Sequence, residues 1–166
     1  MSAIPHLADA NVRAPAYFVL RADAPCRRCG RSTALLALGV PPDHETLEVP
    51  EDAERAGTWQ HAGGNALLFF VQELPEGVRL RLSELSQFFR PVHGAARLDS
   101  CWANHCEHCS APFGDQELHC EPEGAFMPAS ERAAAAVRLL PIPEPFEAVT
   151  AGYSLEPEFF SCMRRI

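Results

Sequence analysis

Apolar and polar positions alternate over much of this chain, and the alternation predicts short strands. Residues 16–21, Ala-Tyr-Phe-Val-Leu-Arg, carry the aromatic and β-branched bias of a strand. Residues 33–40 follow, with Ala34, Leu36, Leu38 and Val40 on one face of a period-two pattern, and Pro41-Pro42 ends that run. The most apolar stretch is 65–72. There Ala66, Leu68 and Phe70 oppose Leu67, Phe69 and Val71, so a central strand buried on both faces is expected. Further strands are expected at 96–103, 137–142 and 146–153. Glu117, His119 and Glu121 alternate with Leu118 and Cys120, which places Cys120 on an inner face as a small core residue.

Helical spacing is rarer. Leu82, Leu85, Phe88 and Phe89 form an apolar stripe over 82–90, with Ser83 as N-cap and Pro91 as terminator; 130–138 has room for one or two turns. Leu74-Pro75-Glu76-Gly77 reads as a turn. Residues 1–15 lack periodicity and are expected to form a loose N-terminal arm, 16–155 a single domain, and 156–166 a C-terminal tail. The fold class that follows is α+β, mostly β: an antiparallel sheet with one short helix beside it.

Two Cys-x-x-Cys units change the picture, Cys26-Arg27-Arg28-Cys29-Gly30 and Cys106-Glu107-His108-Cys109. Such a turn is short enough for both sulfurs to reach one ion about 2.3 Å away. Gly30 suits the left-handed conformation in which such turns end; Ser110, at the equivalent place, is less permissive. The 76 positions between the units must be folded, with a metal joining their ends in a zinc-ribbon-like site. Closing a loop of that length costs about 4–5 kcal/mol, and structural zinc supplies about 10–16 kcal/mol. One structural Zn2+ on Cys26, Cys29, Cys106 and Cys109 is therefore expected. A disulfide framework fits poorly, because the seven cysteines are odd in number and no secretory leader is visible. No role is assigned to Cys101, Cys120 or Cys162.

Composition narrows the function. No apolar run approaches the roughly 18 residues of a membrane span, and a cytoplasmic protein is expected. All fourteen basic residues are arginine and the net charge is −8, which disfavours a general nucleic-acid surface. Arg21, Arg27, Arg28 and Arg31 nevertheless cluster at the first cysteine pair, and 43–54 is acidic; either could meet a partner. Trp59 and Trp102 are candidates for base stacking, though burial is the commoner fate of tryptophan. A metal with four cysteine ligands keeps no open position for water, which argues against hydrolysis there. Arg27 and Arg28 would lower a neighbouring thiol pKa, so thiol–disulfide exchange at Cys26 and Cys29 stays open as an alternative. His105 and His108 flank the second pair as substitute ligands. No phosphate-binding glycine loop, HExxH or Gly-x-Ser-x-Gly turn is found.

The run Cys101-Trp102-Ala103-Asn104-His105-Cys106-Glu107-His108-Cys109, continuing to Phe113-Gly114-Asp115, resembles a zinc-knuckle segment of uncharacterised bacterial proteins. That segment has an aromatic residue, Ala-Asn, the knuckle, then Gly-Asp; here Ser110 replaces a usual glycine and Cys101 a tyrosine. The resemblance implies a four-cysteine site and no particular activity. The expectation is a zinc-stabilised, non-enzymatic binding module for a protein partner, contacting it through 43–54 or through Arg27, Arg28 and Arg31. A nucleic-acid-binding zinc protein and a thiol-redox protein are the alternatives.

Overall fold

The computed structural model describes residues 7–52, 56–92, 101–155 and 157–166. Its centre is a hairpin of two nine-residue strands, in which β2 (Tyr17–Pro25) pairs antiparallel with β3 (Ser32–Val40). Around it lie β1 (Val12–Ala14), β4 (Glu45–Glu48), β5 (Thr58–His61), β6 (Ala66–Glu73), β9 (Arg138–Ile142), β10 (Phe146–Leu155) and β11 (Arg164–Arg165). The nine strands run in the order β11-β9-β2-β3-β6-β10-β1-β4-β5, antiparallel except where β11 meets β9. A second, two-stranded sheet joins β7 (Phe89–Pro91) to β8 (Trp102–Asn104). The mostly β, α+β architecture read from the sequence is the observed one.

Alternation places side chains from successive residues on opposite faces, and both faces here are covered. Tyr17, Val19, Leu36, Leu38, Ala66 and Leu68 pack with Val78, Leu82 and Trp102 on one side. Phe18, Leu20, Leu35, Leu67 and Leu139 pack with Leu118, Phe126 and Phe160 on the other. Each large apolar side chain so buried contributes about 1.5–3 kcal/mol.

Several expectations are corrected. The helix is α1, Glu76–Leu85, and not 82–90. Pro75, read as part of a turn, is its N-cap, and Ser83 lies inside it with its hydroxyl donating to the Leu80 carbonyl. Its buried pair is Val78 and Leu82, one turn apart, while Phe89 has already entered β7. The alternation of β6 breaks at Phe70, whose φ is +52°. The pairing of β6 with β10 shifts register near the same place, and Val71 lands in the core with Ala66 and Leu68 rather than opposite them. Residues 116–120 form a π-helical turn, Gln116–Cys120, in place of the period-two alternation; Leu118 and His119 are its buried residues and Cys120 is half-buried. Val12–Ala14, within the expected arm, is a strand between β10 and β4. The strand expected at 96–103 falls partly outside the described residues, and β8 occupies 102–104. The turns expected at 130–138 are α2, Glu131–Ala135, capped by the Ser130 hydroxyl accepting from Ala133 N–H at 3.1 Å.

Candidate metal centre

The β2–β3 hairpin ends in the first cysteine pair. Cys26 N–H donates to the Arg31 carbonyl at 2.9 Å, and Gly30 N–H to the Cys26 carbonyl at 2.7 Å. The second pair repeats this geometry: Cys106 N–H donates to the Ala111 carbonyl at 2.8 Å, and Ser110 N–H to the Cys106 carbonyl at 2.9 Å. Both turns need a left-handed residue after the second cysteine, and Gly30 (φ +74°) and Ser110 (φ +61°) supply it.

A row of polar contacts docks the second turn beside β3. His108 Nε2 donates to the Ser32 carbonyl at 3.0 Å, Glu107 N–H to Thr33 Oγ1 at 3.1 Å, and Asn104 bonds the backbone of Leu36 in both senses at 2.8 Å. The partners run in opposite directions and step one for one, 108 against 32, 107 against 33 and 104 against 36. The segment behaves as an antiparallel neighbour of β3, built largely from side chains. Phe113 N–H closes the far side of the turn on the Asn104 carbonyl at 2.8 Å.

This docking brings the four cysteines together, and their sulfurs all lie within 4.8 Å of one another. Two close separations cross between the turns, 3.7 Å for Cys26 to Cys109 and 3.6 Å for Cys29 to Cys106. A tetrahedral ion with bonds of about 2.3 Å requires sulfurs about 3.8 Å apart, so the group could hold a metal ion. Cys26 and Cys106 are buried, Cys109 is half-buried and Cys29 exposed. The first cysteine of each pair therefore faces the core and the second faces outward.

The electrostatics of the cluster favour a cation. Backbone N–H groups, chiefly of Cys29 and then of Arg28, hold the Cys26 thiol down to about 7. The Ala111 N–H favours the Cys109 thiolate, but burial and the other three sulfurs outweigh it and push that thiol up to about 11. Four crowded sulfurs cannot all become anionic unless positive charge is placed among them. His108 N–H adds a contact to Cys106 Sγ at 3.4 Å.

The flanking residues have other tasks. Nδ1 of His105 donates to the Ala103 and Phe88 carbonyls at 3.0 and 3.2 Å, and His108 is held by Ser32, so neither histidine joins the sulfurs. Arg27 pairs with Glu117 at 2.8 Å and lies 3.8 Å from Glu121, while Arg21, Arg28 and Arg31 are exposed. Trp102 is buried against Phe89, and the Trp59 ring carries the Arg13 guanidinium 4.1 Å from its centroid.

Sequence reading missed a cleft on the other side of the molecule. About 580 Å³ of space lies between the β1–β4 region, the start of α1 and Pro145-Phe146, with Asp43, Glu45, Glu144 and Glu147 around it. Its signal in the sequence was only the acidity of 43–54. Comparison with protein-family models, with curated proteins and with solved structures gives no match. Among the described residues no helix is long and apolar enough to cross a membrane.

Proposed function

We propose that the chain is a zinc-stapled, non-enzymatic module that binds a protein partner. The observation that carries the metal half is the convergence of four sulfurs within 4.8 Å on two identically built turns. Cysteine-only tetrahedral sites take zinc or iron, and a fixed, fully ligated zinc serves here to lock the β2–β3 tip to the segment after β8. The redox alternative is less well supported, since Cys26 is only 4% exposed and its turn joins two strands instead of opening a helix.

The partner half favours the acidic cleft over the arginine-bearing turn. Arg27 is already engaged by Glu117. The cleft joins an apolar floor, including Val78 and Phe146, to four carboxylates, of which Glu45 is paired with Arg13 and Glu144 with Arg81, each at 2.6 Å, while Asp43 is exposed. Arginine or lysine side chains of a partner would lay their stems on that floor and their charges on the rim. Exposed Glu48, Glu51 and Asp52 continue the negative charge beyond it along the chain.

Two measurements test this reading. Mass spectrometry under native conditions should give one zinc per chain; iron or no metal would overturn the zinc assignment. A fluorescent decapeptide alternating arginine and leucine should bind saturably, and about tenfold less tightly to Asp43→Lys/Glu48→Lys, with Arg28→Ala/Arg31→Ala unchanged. Loss in the arginine variant alone would move the contact surface to the metal site.

A further inference from the structure

The π-helical turn Gln116–Cys120 builds a second site, separate from the cysteines. Its His119 is 9% exposed and packs against two rings, Phe69 at 5.5 Å and Phe126 at 5.1 Å between centroids, the latter stacked at 25°. Neither ring nitrogen has a hydrogen-bond partner among the described residues, and neither is among the fully buried unpartnered atoms, so the ring edge is open to solvent. Burial pushes the His119 pKa down to about 4, so the ring is neutral near pH 7 and offers one donor and one acceptor.

The residue forms part of the wall of a cavity of about 320 Å³, at the small end of the range for ligand pockets. Phe126, Met127 and Pro128 supply apolar wall. Exposed Glu123 and Glu158 stand at the solvent side. The loop that carries Glu123 is pressed onto the π turn: a Cβ at Gly124 would come 2.5 Å from the Glu117 carbonyl oxygen. Phe126 N–H bonds the Leu118 carbonyl at 3.0 Å, fixing the far end of the same loop. π-Helical turns are rare and recur at functional sites.

We infer that this cavity binds a small aromatic amine. The apolar wall takes the planar body, the free edge of His119 bonds a polar ring atom, and Glu123 and Glu158 receive the ammonium group. The two carboxylates are exposed at the mouth, and a ligand long enough to reach from them to the ring edge satisfies both ends. An anionic ligand of the same shape meets like charge at the mouth.

The test uses the intact metal-loaded protein with ring-labelled histidine, followed by NMR. Tryptamine is expected to shift the His119 ring signals saturably and to bind at least tenfold more tightly than indole-3-acetate. The variant Glu123→Gln/Glu158→Gln should remove that difference while keeping the His119 response. No saturable shift with tryptamine, equal binding of the two probes, or an unchanged preference in the double variant would overturn the proposal. The cysteine cluster and the acidic cleft play no part in the readout, so its failure would leave their assignment untouched.

Discussion

The side chain of Asn104 pairs with the backbone of Leu36 as a neighbouring strand would. Its Oδ1 accepts from Leu36 N–H and its Nδ2 donates to the Leu36 carbonyl, each at 2.8 Å, with Asn104 only 2% exposed. Strand β6 pairs with β3 only over Leu38 to Val40, so Leu36 has no strand beside it on that edge. The amide group fills the gap and carries the second cysteine turn to its place. Replacing Asn104 by Ala would leave two buried backbone groups unsatisfied and should cost about 2–4 kcal/mol, read as a lowered urea midpoint. Asn104→Asp, which loses the donor and adds a buried charge, should cost at least as much.

Metal removal is expected to act locally first. The sheet keeps its two cores without an ion, but the four thiols then crowd together with no cation among them. A strong chelator should lower the melting temperature by more than 10 °C, because bound metal stabilises only the folded state. Hydrogen exchange should accelerate at 26–33 and 104–111 before it does in β6 or β10. Uniform acceleration across the sheet would contradict this.

The two cysteine turns differ at the left-handed residue, and that difference is measurable. Ser110→Gly should stabilise the protein by about 0.5–1 kcal/mol by relieving the strain of a positive φ. Gly30→Ala should destabilise by about 1–2 kcal/mol although no atom beyond the adjoining residues lies within 4 Å of the added methyl group. Paired thermal melts of the metal-loaded variants decide both.

Asp115 sets a pH dependence. It is 7% exposed and accepts from Phe70 N–H at 2.7 Å, but burial outweighs that bond and pushes its carboxyl up to about 6. A carboxyl pKa raised above its unfolded value of about 4 means that the folded state holds the proton more tightly. This contribution to stability is full below about pH 4 and is lost as pH rises through about 6. Asp115→Asn keeps an acceptor for Phe70 and removes the charge. Relative to wild type it should gain up to about 2–3 kcal/mol at pH 7 and nothing at pH 4. The difference between urea midpoints, taken at each pH, cancels any effect of metal release common to both proteins.

Strands β2, β3, β6, β9 and β10 and the cysteine cluster were legible in the sequence because each rests on a short-range pattern. Alternation over 33–40 follows directly from the pleat, and Cys-x-x-Cys fixes a turn whatever surrounds it. The helix was misplaced because its start depends on Pro75 and Glu76, which also make a good turn, while Phe88 and Phe89 mimicked a helical stripe from a neighbouring strand. Phe70 and His119 were illegible for a different reason. Nothing in a phenylalanine announces a positive φ, and the setting of His119 is supplied by Phe69, fifty residues away in the chain. Asn104 lay in between: it was noticed as part of an Ala-Asn pair, but its role needs the unpaired edge at Leu36.

The crosswise sulfur pairs join residues 83 and 77 positions apart. On a ribosome adding about 5–20 residues per second, that separation is a delay of about 4–17 s. Throughout it the β2–β3 hairpin is outside or emerging with only half a coordination sphere, and two thiols hold an ion far less firmly than four. Loading of an ion at these sulfurs would therefore be a late event in the life of the nascent chain, completed when the second turn lies down along β3. An organism short of metal would accumulate chains that are folded in the middle and open at this seam.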